Sequence, residues 1–424
     1  MERVMHTLRG HFDTKFNTYT AAQEPMIFHC HHYNTVLQAT LEDTRDYIDI
    51  YPILVDSAQE IVYSQLTTYF AEANLTDITD RKGAVEDFFA FCGYGKFALD
   101  NLTPYGGKII AEADHYSYGW KVKFGLRADN LPMVSFFTCG FLAGATDAIF
   151  NLPLGTSDCK QLTCYTKGDA FPSFEITKAT SPKTLIASPK LGKPQTHTLE
   201  NPTQETDVNY LGIREALTNM PIEGTTTKGM IDAFGVLLTR MFANYYCQIS
   251  YKVLKKLEIM MRKDGLDLAD ELLTEAGHNC AFYTFGGVME SAEWNGLIKP
   301  MCKTKEDWVH GIVAVVNSFG WGFWEILELI PAKKLVLKVT NGYEATSYLV
   351  AHGNGAIPIS FLAKGATMGI MNLLYNGDVT TNPNLNEDYY NAICRSDKMF
   401  SVTQTACRTM GANADVFEAV LLDK

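Results

Sequence analysis

Apolar positions recur at helical spacing through the first hundred residues. Phe28 to Asp46 predicts a first helix, closed by the polar run Asp43-Thr-Arg-Asp46. Pro52 to Ala73 predicts a second, with Ile53, Leu54, Ile61, Val62, Leu66 and Phe70 on its buried side. A third opens near Asp80, whose carboxylate suits an N-cap. Past Pro104-Tyr-Gly-Gly the period shortens to two. Lys108 to Ala113 and Trp120 to Gly125 alternate like half-buried strands. Pro132 to Phe150 is helical again and rich in small residues. Gln161 to Tyr165 and Ser173 to Ile176 then close a hairpin around Lys167-Gly-Asp169.

The text from Thr177 to Glu205 has no period and is rich in Pro, Thr, Ser and Lys, which predicts a linker. The plan then starts again. Long helices are expected over Gly229 to Met261, Leu266 to about Ser291, and Lys305 to Ile330. Strands follow at Leu335 to Val339 and Thr346 to Val350, then a helix from Phe361. The closing strands are Ser401 to Cys407 and Asp415 to Val420. Residues 376–397, with Asn-Pro-Asn-Leu-Asn-Glu-Asp at their centre, are expected as a surface insertion in this copy.

The recurrence extends to individual residues. Gly93-Tyr-Gly95, Leu102 and Pro104 return in register as Gly320-Trp-Gly322, Leu329 and Pro331. Gly144-Ala-Thr146 with Asn151 returns as Gly365-Ala-Thr367 with Asn372. Gln161, Cys164, Gly168, Phe174 and Glu175 return as Gln404, Cys407, Gly411, Phe417 and Glu418. A unit of this length is a duplicated domain rather than a solenoid repeat of roughly 20–50 residues. The expected division is 1–176, a linker at 177–205, and 206–424. Helices first, then hairpin, crossing helix and hairpin, predict an α+β fold. Each half would be a helical layer on a small antiparallel sheet, the two related by a pseudo-twofold axis.

Composition supports two full cores: 424 residues, 46% apolar and 20% charged. The net charge of −12 and the lack of a basic patch argue against nucleic acid as a partner. Ten scattered cysteines are not a disulfide framework. No apolar run is long enough for a membrane span, and the N-terminus lacks a signal peptide's apolar core. A reducing cytoplasm is therefore the expected compartment. Phosphate-binding Gly-rich loops and a Gly-x-Ser-x-Gly elbow are missing, so neither a nucleotide cofactor nor serine-hydrolase chemistry is expected.

The end of each half carries a resemblance. The order of strand pair, small-residue helix and Cys164-Tyr-Thr-Lys-Gly168-Asp169-Ala-Phe-Pro-Ser-Phe174 resembles the V4R (4-vinyl reductase) domain. That domain belongs to the ligand-binding superfamily of NO-signalling and Golgi-transport proteins that includes the Bet3-type transport-particle subunits. Cys407-Arg-Thr-Met-Gly411 to Phe417 is a looser copy. The likeness covers about the last seventy to a hundred residues of each half. It implies a pocket for a small hydrophobic or aromatic molecule between helices and sheet. Family members sense phenols or take part in bacteriochlorophyll synthesis, and the phenol sensors hold zinc at the terminal hairpin. Here Gln161 and Gln404 replace its acidic ligand, and Pro172 and Asp415 its downstream Cys. A lone Cys164 or Cys407 does not make a tetrahedral site, so that zinc site is read as lost.

The densest chemistry is His29-Cys30-His31-His32-Tyr33, which holds three of the chain's ten histidines. On a helix His29 and His32 would share a face, and Asp56 and Glu60 lie one turn apart on the neighbouring segment. His29, His31 and His32 with Asp56 and Glu60 form a ligand set for iron, zinc or manganese. One imidazole could instead be an axial haem ligand, or the histidines could line a pocket and satisfy buried hydrogen bonds. The second half reads Met241-Phe-Ala-Asn-Tyr-Tyr-Cys247 at this place, without histidine. Glu275 and His278 share a helical face and are a weaker candidate, with Glu275 aligned roughly to Asp56.

Two readings follow. One is a tandem module binding a hydrophobic, aromatic or tetrapyrrole-like molecule, with Tyr33, Phe137, Trp321 and Trp324 as pocket walls. The other is a metalloenzyme using iron or haem, with zinc the weaker choice. Catalytic residues are not identifiable, and a homodimer stays open.

Overall fold

The computed structural model describes residues 7–181, 183–188, 199–200 and 206–422. The first half runs β1 (His11–Asp13), β2 (Thr18–Ala21), β3 (Glu24–Cys30), α1 (His31–Glu42), α2 (Tyr51–Glu72) and α3 (Ile78–Phe91). It continues through β4 (Gly95–Phe97), β5 (Gly107–Asp114), α4 (His115–Phe124), α5 (Phe136–Ile149), β6 (Ser157–Thr163) and β7 (Ser173–Lys178). The second half opens with α6 (Tyr210–Thr218), β8 (Ile231–Ala233), β9 (Val236–Phe242), α7 (Ala243–Met261) and α8 (Lys263–Cys280). A π-helical turn over Ala281–Phe285 joins α8 to α9 (Gly286–Glu290), followed by α10 (Ala292–Leu297) and α11 (Lys305–Val316). Then come β10 (Phe323–Ile330), β11 (Lys334–Thr340), α12 (Tyr343–His352), α13 (Phe361–Met371), α14 (Glu387–Cys394), β12 (Phe400–Ala406) and β13 (Asp415–Leu421). The fold is α+β with antiparallel sheets, as the pattern predicts.

Two four-stranded sheets have matching orders, β4-β5-β7-β6 and β10-β11-β13-β12. Three of the shared glycine pairs occupy matching turns, and the fourth, Gly144 and Gly365, lies in matching helices α5 and α13. Gly93 and Gly320 have φ of +81° and +82°, Gly168 and Gly411 +89° and +99°, a region that glycine enters without steric penalty. A third sheet, β1-β2-β3-β9-β8, draws strands from both halves. Its central ladder pairs Met26 with Phe242 and Ile27 with Met241 on one side, and His29 with Thr239 and Cys30 with Leu238 on the other. Phe28 faces Arg240 at the midpoint, where the ladder is symmetric. One hydrophobic core runs through both halves.

Several elements differ from the expected ones. Glu24–Cys30 is a strand, because it lies mid-sheet and is buried at every position, and a fully buried strand reads as a continuous apolar run. Gly229 to Met261 is not one helix. Phe234 and Gly235, with φ of +55° and +68°, make a two-residue hairpin between β8 and β9, and the helix begins only at Ala243. Lys305 to Ile330 likewise leaves the helix after Val316, turns through Gly320 and Gly322, and ends as β10. Trp120 to Phe124, with Gly125 as C-cap, and Thr346 to Val350 belong to helices α4 and α12. Asp114 explains the first: its carboxylate accepts from Ser117 N at 2.9 Å and caps α4. Part of the expected linker falls outside the described residues, but 183–188 lies along α2. There Lys183 bonds Gln59, Ile186 N bonds Glu60, and Ser188 N bonds Ser64.

Candidate functional site

The histidine cluster straddles a strand end and a helix start. Because Cys30 is the last residue of β3, His29 points from a strand, and only His31 and His32 belong to α1. The one-turn spacing expected of His29 and His32 is therefore absent: the His31 and His32 rings meet at 3.9 Å between centroids, and His29 stands in separate surroundings.

His29 is fully buried, sandwiched between Tyr33 at 4.3 Å and Trp321 at 4.6 Å between centroids. Tyr246 and Tyr343 meet it edge-on. Its Nε2 lies 3.4 Å from Tyr343 Oη, and Nδ1 has no hydrogen-bond partner. Burial alone pushes its pKa well below the usual imidazole range. His31 accepts from Leu237 N, and its Cβ meets the surface of α4 at Gly119, where a side chain would collide with it. Burial first, then the Lys123 charge, lowers His31 to about 4. His32 stacks on Tyr283 at 4.7 Å and stands 3.4 Å from Lys123 Nζ. Burial, His31 and Lys123 together hold it well below its ordinary value. All three are neutral at pH 7.

Asp56 and Glu60 do not converge on these imidazoles. Asp56 pairs with Lys183 at 3.3 Å, and Glu60 with Lys252 of α7 at 2.8 Å. Among the described residues, no three His, Cys, Asp or Glu side chains come together to hold a metal ion. A centre built from His29, His31, His32, Asp56 and Glu60 thus does not fit: the carboxylates face lysines, and His29 is walled in by rings. Nor does the terminal hairpin fit zinc. Cys164 and Cys407 are buried against Thr166 and Thr409 hydroxyls, while Gln161 accepts from Ser135 N and Gln404 donates to Asp415.

Glu275 and His278 do form a pair, at 3.4 Å. Tyr390 of α14 donates to Glu275 at 2.7 Å, and His278 Nε2 lies 3.0 Å from Asn372 Nδ2. Burial works to raise Glu275, but His278, Tyr390 and Arg395 outweigh it and hold the carboxyl at about 2. These contacts turn the pair toward α13 and α14, away from His29. They also make the 376–397 insertion a partly buried cover, with Tyr390 only 2% exposed. A side chain on Gly144 would meet Gln59 O and Tyr63 N, and one on Gly365 would meet Thr274 O and His278 N. Glu275 therefore corresponds to Glu60, one turn beyond the expected match with Asp56.

The expected pocket walls are mostly core. Phe137, Trp321 and Trp324 are at most 1% exposed and enclosed by other rings. Tyr33 borders a cavity of about 40 Å³ beside Glu344 and Cys247, room for little more than water. Glu344 is half-buried there, and desolvation raises it to about 8 against amide bonds from Leu362 and Ala363.

The larger cavities lie elsewhere. One of about 730 Å³ opens between the N-terminal ends of α2 and α5 and strand β6. Tyr51, Val55, Met133 and Phe136 supply its apolar wall, with Tyr51 and Phe136 stacked at 4.8 Å. Cys139 and Cys159 line its depth, and Lys183 bridges Asp56 and Asp158 at its rim. The matching place in the second half is a smaller cavity of about 360 Å³. It is lined by Leu266, Phe361 and Val402 and bordered by the Lys364–Asp270 ion pair at 2.5 Å. Gln161 and Gln404 mark the same corner of each. Sequence reasoning missed this site because its wall is assembled from three separated segments. The available signal was the repeat alignment, which sets Cys159 against Val402.

No family model matches the chain, and no curated protein matches it. The V4R resemblance therefore rests on its short motifs. Among solved structures, the chain is distantly similar to the phenol-responsive sensory domain of the transcription activator PoxR with phenol. That likeness has 10% identity and a TM-score of 0.28, covering 41% of this chain and 74% of the other. A likeness at that level carries no argument about function. No helix among the described residues is long and apolar enough to cross a membrane.

Proposed function

We propose that the protein binds a small aromatic molecule bearing a polar group, in the cavity between α2, α5 and β6 of its first half. The carrying observation is the asymmetry of the duplicated cavities, about 730 Å³ against about 360 Å³. The larger one falls in the size range of small-molecule sites, roughly 300–1,000 Å³. The stacked Tyr51 and Phe136 offer a flat apolar wall, and Lys183, Asp56, Asp158 and Gln161 offer polar partners at the edge. In this reading the halves are two copies of one unit, and the second serves as a packed support for the first.

The test is calorimetric titration with 2-naphthol. Saturable one-to-one binding is expected for the wild type. Cys159→Trp, which fills the cavity, should abolish it, and Val402→Trp at the matching place should not. Binding that survives Cys159→Trp and disappears in Val402→Trp would refute the assignment.

A further inference from the structure

Two cysteines from opposite halves meet on one hydroxyl. Cys30 Sγ lies 2.7 Å from Thr284 Oγ1, and Cys280 Sγ lies 3.4 Å from the same oxygen. Contact with one shared oxygen sets the two thiols side by side. Three elements hold this arrangement. Cys30 is the N-cap of α1, Cys280 is the last residue of α8, and Thr284 belongs to the π-helical turn that follows. Such turns frequently mark functional sites.

The surroundings favour a reactive sulfur at Cys30. It sits at the positive end of a helix of 12 residues. The His32 and Tyr33 amides lie close enough to stabilise charge on it, although neither makes a formal capping bond. The Lys123 ammonium, 3.6 Å above the Tyr283 ring, is near enough for its charge to bear on both thiols. An electropositive setting of this kind distinguishes a reactive cysteine from a packing one. Neither residue recurs in the other copy: Phe242 stands in the place of Cys30 and Gln65 in that of Cys280. Both thiols are buried, at 0% and 1% exposure, so only a very small reagent can reach them. His32 and Tyr283 beside them are half-buried, which brings solvent within a side chain of the pair.

We infer that Cys30 and Cys280 are a hydroperoxide-sensitive thiol pair that closes into a disulfide linking the two halves. In the first step the Cys30 thiolate attacks one oxygen of hydrogen peroxide. The S–O bond forms, the O–O bond breaks, and hydroxide leaves with a proton to become water. Cys30 is then a sulfenic acid, oxidised by two electrons. In the second step Cys280 sulfur attacks Cys30 sulfur, the S–S bond forms, the S–O bond breaks, and a second water departs. Two thiols and one peroxide give one disulfide and two waters.

The experiment is peptide mapping of the full chain, reduced, desalted, treated while folded with hydrogen peroxide, and then unfolded in guanidinium chloride in the presence of iodoacetamide. The expected product joins the Cys30 and Cys280 peptides, with the other eight of the ten free cysteines alkylated. In Cys280→Ser, Cys30 should stop at the sulfenic acid and be trapped by dimedone present as the treated protein is unfolded. Oxidation confined to Cys139 and Cys159, or full alkylation of Cys30 when the peroxide-treated protein is unfolded, would overturn the inference. Cys280→Ser keeps it testable where substitution of Cys30 in the core prevents folding, because an unmodified Cys30 in that variant also refutes it.

Discussion

Glu60 of α2 and Lys252 of α7 form an ion pair of 2.8 Å that ties one half of the molecule to the other. Lys252 also donates to Ser57 at 3.0 Å, and Glu60 accepts from Ile186 N at 3.2 Å. A carboxylate in the right place for a metal ligand by sequence is thus a structural acceptor. Glu60→Ala leaves a lysine and an amide short of their partner and should cost about 1–3 kcal/mol, read by urea denaturation. Iron and zinc content, measured by mass spectrometry on the purified protein, should be the same in wild type and variant.

A second ion pair lies deeper. Glu42 and Arg127 meet at 2.5 Å with side chains 5% and 3% exposed, and the guanidinium covers Trp120 at 4.6 Å. Glu42→Ala strands a buried cation, and the expected loss is about 3–5 kcal/mol. The double replacement Glu42→Leu/Arg127→Met should cost less than Glu42→Ala, because no charge is left without a partner. A denaturation series over the three proteins checks the order.

His29→Ala removes a ring stacked on both faces and should destabilise the fold by about 3 kcal/mol. The 2-naphthol isotherm should be unchanged, since His29 does not line that cavity. Lost binding with a native melting curve would return function to the histidines.

Glu24 is fully buried and accepts from Asn244 Nδ2 at 2.7 Å. Burial dominates and raises its folded pKa to about 8 from the ordinary 4.5. The folded chain therefore holds a proton that the unfolded chain has lost across that window. Its stabilising contribution is complete below pH 4.5 and is lost as pH rises toward 8. Glu24→Gln keeps the shape and an acceptor for Asn244 but does not titrate. Denaturation between pH 5 and 9 should show the wild type losing stability relative to this variant up to about pH 8, then running parallel.

Much of this was legible from the chain. Helix α2 and strands β5, β11, β12 and β13 stand close to where the periodicities put them, because each buries one face at its own period. Gly93, Gly95 and Gly168 and their counterparts Gly320, Gly322 and Gly411 mark positive-φ turns in both copies, a requirement written directly in residue type. The match of His29 to Met241 also holds, since both are the next-to-last residue of a strand that runs into a helix. What failed was the step from pattern to neighbour. His29 and His32 share a helical face only if the helix starts before them.

The sequence by itself determined the α+β class, the repeated order of elements and the turns, all consequences of local conformational preference and one-sided burial. Tertiary structure decided that β3 and β9 pair across the halves, because two central strands with no polar face gain most by covering each other. It also gave Asp56 and Glu60 to lysines, surrounded His29 with aromatic rings, and brought Cys30 to Cys280. Such pairings join residues as far as 314 positions apart, as His29 and Tyr343 are, and no periodicity reaches that far. They follow from which surfaces must exclude water together, a property of the packed molecule rather than of any segment.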